Sequence, residues 1–161
     1  MNHPFIVKII DNFEDNEGHL CIVQELYPEG DFSNYLKERK GKLFSEQEIL
    51  HFLANIFLAV FHINSRNIFH RDLKPANFLM KRGENGKNYL YLSDFGVAKN
   101  ISDKDRLSSA ISNVKGTNEY LAPEIHNAKL EKPNMTKQDV WAIGVIAYEI
   151  CTFKLPFNGE N

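Results

Sequence analysis

The 161-residue chain carries 19 Lys and Arg against 21 Asp and Glu, a formal net charge of −2, which gives no electrostatic case for binding nucleic acid or an acidic membrane surface. Its hydrophobic content of 43% and charged content of 25% suit a soluble domain with a substantial core, and no apolar run approaches the roughly 20 residues needed to span a bilayer. Met1-Asn2-His3-Pro4 lacks the basic and apolar regions of a signal peptide, and Cys21 and Cys151 stand apart without metal-ligand spacing. A reduced cytoplasmic or nuclear setting is therefore expected.

Residues 5–10 and 19–24 are apolar, β-branched runs around the polar Asp15-Asn16-Glu17-Gly18, which predicts a strand pair and its turn. The breaker-rich 27–31 reads as a linker, and a short helix is expected over 32–40, ended by Gly41. Ser45 with Glu48 three later is a capping box. The helix that it opens carries Ile49, Phe52, Leu53, Ile56, Phe57, Val60, Phe61 and Ile63, most of them at the spacing of one buried face. So wide an apolar arc predicts a helix in the middle of a helical layer.

Two short strands, 78–81 and 89–93, flank the hairpin signal Gly83-Glu84-Asn85-Gly86. From Asp94 to Glu124 the chain is polar and Ser-rich without a clean period, a length that inside a compact domain points to function. A capping arrangement at 136–139 then opens a helix through Val140, Trp141, Ile143, Val145, Ile146, Ile150 and Cys151, apolar on nearly all sides and expected to be buried. The chain holds no internal repeat and no low-complexity segment.

The densest chemistry lies at 70–77, His70 to Asn77, where an acid, two bases and an amide sit between apolar Ile68-Phe69 and Phe78-Leu79-Met80. Charges wedged between strand-like runs are costly unless paired or placed in a working cleft. Seventeen positions after Asn77 comes Asp94, followed by Phe95-Gly96. Two acids and an amide leaving short strands can converge on one hard cation such as Mg²⁺, which takes oxygen ligands and keeps several waters.

HRDLKPAN at 70–77, DFG at 94–96, APE at 122–124 and DVWAIGV at 139–145, in that order and context, resemble the eukaryotic protein kinases of Ser/Thr type. Within them, 43–46 and 148–152 are reminiscent of the NIMA-related group. The resemblance implies an α+β, protein-kinase-like fold: 1–26 as the end of a small lobe, 27–31 as a hinge, and 32–161 as a large lobe truncated at its C-terminal end. It implies transfer of the ATP γ-phosphoryl group to protein Ser or Thr hydroxyls, with ATP and Mg²⁺ as cofactors and a protein substrate as partner, while the charge balance and apolar run lengths lead us to expect neither nucleic acid nor membrane as partner. It leaves the oligomeric state open.

Residue by residue, Asp72 matches the acid that handles the substrate hydroxyl, and Lys74 the lysine that steadies the transferring phosphoryl group. Asn77 and Asp94 match the metal positions, and Thr117 with Lys74 implies Ser/Thr specificity. Nucleotide contacts are implied for Glu25, Tyr27, Asp31, Leu79 and Asp94, with backbone groups of Leu26 and Tyr27 toward adenine and Gln24 guarding the pocket behind. Arg71 matches the arginine that grips an activation-loop phosphate, His70 and Phe95 resemble internal spine positions, and Asp139 resembles a buried support for the catalytic loop.

Plainer readings stand beside these. His70 is by itself a packed core histidine, Asp139 a helix N-terminal acid favoured by the dipole, Asp31 a helix cap, and Ser102, Ser108, Ser109 and Ser112 solvated loop residues, of which Ser112 is the best placed for phosphorylation. Asn113 and Asn118 depart from a frequent Thr and a frequent Pro of the family, which bears on activation and not on the chemistry. The family's Gly-rich loop, strand lysine and helix glutamate would all precede His3-Pro4, and its later helices, one carrying an arginine partner for Glu124, would follow Asn161. The 161 residues alone are thus expected to fold poorly and show little activity. The alternative is a pseudokinase or truncated isoform acting as a protein-binding module, whereas the APE segment disfavours a small-molecule or lipid kinase.

Overall fold

The computed structural model describes residues 2–39, 41–100, 117–126 and 137–157. Its strands are β1 (Ile9–Glu14), β2 (Leu20–Gln24), β3 (Ile68–Phe69), β4 (Phe78–Arg82), β5 (Asn88–Leu92) and β6 (Lys99–Asn100). Its α-helices are α1 (Phe32–Glu38), α2 (Glu46–Asn64), α3 (Pro123–His126) and α4 (Gln138–Thr152), with single 3-10 turns at Pro75–Asn77 and Asn118–Tyr120. The strands pair antiparallel as three two-stranded ribbons, β1 with β2, β3 with β6 and β4 with β5. The expected α+β organisation is what forms, and no helix among the described residues is long and apolar enough to cross a membrane.

The capping box forms as read: Ser45 Oγ accepts the Glu48 N–H, and the Glu48 carboxylate accepts the Ser45 N–H. From there α2 buries Phe52, Ile56, Ala59, Val60 and Ile63 against Phe78, Met80, Leu90 and Leu92 of the β4–β5 hairpin and Ile143, Ile146 and Ile150 of α4. α2 also closes the outer edge of β5, which would otherwise be an unpaired strand edge. His51 Nε2 donates to the Asn88 carbonyl at 2.9 Å, and Asn55 Oδ1 accepts the Leu90 N–H at 3.0 Å. The chain around Ile6 completes that edge, Val7 N–H donating to the Leu92 carbonyl and Leu92 N–H to the Phe5 carbonyl.

Three expectations need correction. The first strand is not 5–10 but Ile9–Glu14. Ile6 and Val7 are buried, Ile6 as a parallel bridge to Leu92, while the turn pairs Glu14 with Leu20 because Asp15 Oδ1 accepts the N–H groups of Glu17 and His19. At the start of α4, Thr136 lies outside the described residues and Lys137 makes no side-chain cap bond. Gln138 and Asp139 are turned inward instead, to bond other segments. Finally, neither long helix is covered all round: Val140, Tyr148 and Cys151 of α4 are exposed, and so are Phe57 and Phe61 of α2.

The β1–β2 ribbon differs from the rest of the molecule, since Ile9, Ile10, Phe13, Leu20 and Ile22 are all exposed. An isolated two-stranded ribbon adds little stability of its own. Ile56→Ala, at a fully buried α2 position, should therefore lower unfolding free energy by about 2–5 kcal/mol, and Ile22→Ala by under about 0.5 kcal/mol, in urea titrations followed by circular dichroism.

Candidate active site

The loop 70–77 hangs from the N-terminal turn of α4. Asp139 is wholly buried and accepts the backbone N–H of His70 at 3.0 Å and of Arg71 at 2.9 Å. Asn64, the last residue of α2, joins them once its amide is oriented by its neighbours, its nitrogen donating to Asp139 Oδ2 at 3.1 Å and to the Ile68 carbonyl at 2.9 Å. Burial pushes the Asp139 carboxyl upward, and the Arg71 and His70 amides work against that push. His70 is also fully buried: its Nε2 donates to the Ser93 carbonyl at 2.9 Å and its ring meets Phe95 edge-on. Burial holds this imidazole below the usual histidine range, so it packs as a neutral ring, as the plainer reading has it.

That grip forces an unusual backbone. Arg71 has φ 68° and Asp94 φ 58°, left-handed values that non-glycine residues adopt only when their surroundings impose them. At Arg71 the imposing bonds are the Asp139 contact on its N–H and the guanidinium, whose Nε and Nη2 both donate to the Val97 carbonyl. The phosphate-gripping role implied for Arg71, and the four serines, concern residues 101–116, which lie outside the described residues.

The structure brings Asp72, Lys74, Asn77 and Thr117 into one hydrogen-bonded cluster. Lys74 Nζ lies 2.9 Å from Asp72 Oδ2 and donates to Thr117 Oγ1 at 2.7 Å, while Thr117 Oγ1 and N–H donate to Asp72 Oδ1 at 2.9 and 2.8 Å. Burial alone would raise the Asp72 carboxyl, but the bonds from Lys74 and Thr117 outweigh it and hold the group below the ordinary carboxylate range. The result is an ionised, largely buried acid, its side chain 15% exposed.

Asn77 is buried, and its amide nitrogen donates to the Asp72 carbonyl at 2.8 Å, which turns Oδ1 away from that bond. Ser93, one residue before Asp94, ties the two strand ends together: its N–H and Oγ both donate to the Asn77 carbonyl at 2.9 Å. The Asp94 carboxylate is exposed, and among the described residues its Oδ1 accepts the Gly96 N–H at 3.2 Å. A Cβ at Gly96 would come within 3.1 Å of that oxygen, so the glycine keeps the acid accessible. An amide oxygen and a carboxylate on strand ends stapled together fit a hard divalent cation that retains waters.

The residues implied in nucleotide contacts are disposed differently. Glu25 forms an ion pair with Lys81, and the ring of Tyr27 is buried against Tyr91, its hydroxyl accepting the Lys8 N–H, so these two are left with backbone groups for a ligand. Asp31 caps α1, bonding the N–H and side-chain amide of Asn34, which is the plainer reading of that residue. Leu79 sits in β4 opposite Tyr91 and bridges to Asp31. Sequence reasoning passed over Asn55, Asn64 and Ser93. The two asparagines had a signal, since Asn64 lies four residues after Val60, and Asn55 three after Phe52, on the face that α2 buries.

Comparison with known proteins shows the family. A family model described as "Protein kinase domain" matches residues 1–161. The chain belongs to the protein kinase domain family. Among curated relatives, the human "Serine/threonine-protein kinase Nek5" is 40% identical over 162 residues, which cover all of this chain and 21% of that protein. Mouse "Serine/threonine-protein kinase Nek3" is 40% identical over 161 residues, covering all of the chain and 29% of the relative. "Probable serine/threonine-protein kinase nek1" of Dictyostelium discoideum is 34% identical over 176 residues, again over all of the chain and 35% of the relative. The chain thus spans between about a fifth and a third of the length of these three relatives, all Nek kinases in keeping with the NIMA-related resemblance.

The Asp72 environment gives a pH signature. A folded-state value below the unfolded one means that Asp72 contributes stability above the unfolded carboxylate range, lost as pH falls through the folded value. Lys74→Met removes the leading donor and leaves burial less opposed, so the Asp72 midpoint and the onset of acid destabilisation should both move to higher pH. Carboxyl NMR titration beside acid unfolding curves measures this, and an unmoved midpoint would mean that Lys74 does not set the ionisation of Asp72.

Proposed function

We propose that this chain is the catalytic part of a protein Ser/Thr kinase, transferring the γ-phosphoryl group of ATP to Ser or Thr hydroxyls of protein substrates. The observation that carries this reading is the closed arrangement of Asp72, Lys74 and Thr117 beside the stapled pair Asn77 and Asp94. Phosphoryl transfer through a loose transition state asks for positioning and charge compensation more than for a strong base. An aspartate held ionised suits that task. Asp72 receives the hydrogen bond of the incoming hydroxyl, orients its oxygen and takes its proton as the bond to the γ-phosphorus forms and that phosphorus parts from the bridging oxygen, which leaves with ADP. Lys74, 2.9 Å from Asp72, compensates charge on the oxygens of the moving group, and Thr117 fixes the distance between the two.

Asn77 Oδ1 and the Asp94 carboxylate would hold Mg²⁺, which when bound neutralises the nucleotide phosphates. Backbone groups of Glu25, Leu26 and Tyr27, with Leu79 beneath and Asp31 at the edge, form the proposed adenosine side, placing a hinge at 27–31 between a small-lobe end at 1–26 and a large lobe from 32. The unpaired Cys21 and Cys151 support a cytoplasmic or nuclear location.

In the longer protein, Asp72→Asn should cut turnover by about 10²–10⁴-fold while leaving ATP affinity near its starting value, in steady-state phosphorylation of a Ser/Thr peptide array beside nucleotide titration. Unchanged turnover would remove Asp72 from the mechanism. For residues 1–161 as an isolated polypeptide we propose little activity, because β1–β2 is exposed on both faces and the 161 residues contain no Gly-x-Gly-x-x-Gly loop. Ordinary kinase turnover with a cooperative melt from that polypeptide would refute this. The same observation favours a second reading, a protein-binding module, which requires turnover to be absent from the longer protein as well.

A further inference from the structure

Ser93 is a small buried residue between Leu92 of β5 and Asp94, and each of its polar groups is engaged. Its N–H and its Oγ both donate to the Asn77 carbonyl at 2.9 Å, and its own carbonyl accepts His70 Nε2 at 2.9 Å. The β4–β5 ladder ends one step earlier, at Phe78 opposite Leu92. Ser93 thus stands where the chain leaves the sheet for Asp94 and its left-handed backbone, φ 58°.

The two donors of Ser93 differ in what they depend on. The N–H bond belongs to the main chain, and any residue but proline would make it. The hydroxyl bond depends on the side chain, and the fold does not require it. A carbonyl oxygen has two lone pairs, so without the hydroxyl the Asn77 carbonyl keeps the Ser93 N–H and no buried acceptor is orphaned. What the second bond adds is direction, because an acceptor held by two donors of one residue cannot pivot about either bond. That carbonyl belongs to Asn77, and the residue after Ser93 is Asp94. The hydroxyl therefore fixes, through main-chain atoms, the relative placement of the two residues that fit a hard divalent cation.

We propose that Ser93 is a positioning residue for the cation site, its hydroxyl holding Asn77 and Asp94 in the relative placement at which they bind a divalent metal together. This role rests on the reading of Asn77 and Asp94 as the cation pair. Groups one layer behind metal ligands set their orientation, and losing such a group lowers metal affinity by about 10–100-fold. The support runs further back, from the Ser93 carbonyl to the His70 ring and from the His70 N–H to the buried Asp139. The cation pair is thereby tied to the same carboxylate that holds the loop carrying Asp72.

Manganese(II) binding in the presence of ADP, followed by electron paramagnetic resonance on the full-length protein, tests this beside steady-state kinetics. Ser93→Ala should weaken manganese binding by about tenfold or more and raise the magnesium concentration for half-maximal turnover in the same proportion. Turnover at saturating magnesium should stay within about threefold of its starting value. The melting temperature of the metal-free protein should fall by no more than a few degrees, the effect of one lost hydrogen bond. Ser93→Thr, which keeps the hydroxyl, should bind manganese within about threefold of the starting affinity. Equal weakening in Ser93→Thr and Ser93→Ala overturns the proposal, and so does a Ser93→Ala variant that fails to fold, which would place the hydroxyl in the fold instead. Manganese lost in Asp94→Asn but held as before in Ser93→Ala overturns the proposal and leaves the cation pair standing. Manganese that Asp94→Asn leaves bound overturns both.

Discussion

One buried carboxylate holds the centre of this molecule in place. Asp139 takes the N–H groups of His70 and Arg71 and the amide of Asn64, and so joins three elements far apart in sequence: the end of α2, the loop 70–77 and the start of α4. Charged acceptors that collect several backbone donors make hydrogen bonds roughly twice as strong as neutral ones. Removing such an acceptor leaves buried N–H groups unpaired, each at a cost of about 1–3 kcal/mol. The left-handed backbone at Arg71 persists because these bonds over-determine it. From that turn onward the loop is aimed, and Asp72, Lys74 and Asn77 emerge on the side where Thr117 and Asp94 wait.

The second constraint is the stapling of two strand ends. Ser93 clasps the Asn77 carbonyl with both its N–H and its hydroxyl, and the His70 ring supports Ser93 from below. The strand ends that carry Asn77 and Asp94 are thereby tied together at the Asn77 carbonyl, while the Asn77 amide nitrogen bonds the Asp72 carbonyl and Asp94 Oδ1 accepts the Gly96 N–H. The cluster around Asp72 follows the opposite plan. Among the described residues, the contacts to that carboxylate come from side chains and an amide of the cluster itself, which hold the acid ionised before any substrate arrives. Pre-set charge of this sort costs no reorganisation during reaction.

α2 joins the core to the edge of β5. Its inner face carries the core, and its polar inner residues His51 and Asn55 satisfy the edge of β5, which lets a two-stranded hairpin sit inside a packed domain. The outer face contributes nothing to that core.

Much was readable in the chain before any coordinates. The capping box of Ser45 and Glu48, the helix 46–64, the hairpin around Gly83-Glu84-Asn85-Gly86 and the cluster at 70–77 depend on local chemistry, in which side chains a few residues apart decide the outcome. The misread elements were those that distant partners decide. Ile6 and Val7 left the first strand because Leu92 offered them a buried edge, and Asp139 of the expected capping arrangement turned inward to accept the His70 and Arg71 N–H groups. Asp31 could be a cap or a ligand contact on sequence grounds, and only the fold set Asn34 against both its oxygens. Which face of α2 is covered was likewise beyond the sequence, since periodicity reports that residues are apolar and not whether anything lies opposite them. Sequence by itself determined which residues carry charge and how each segment coils. The tertiary structure alone decided which of those charges meet, because hydrogen bonds act over about 3 Å and the residues that make them here lie up to 69 positions apart.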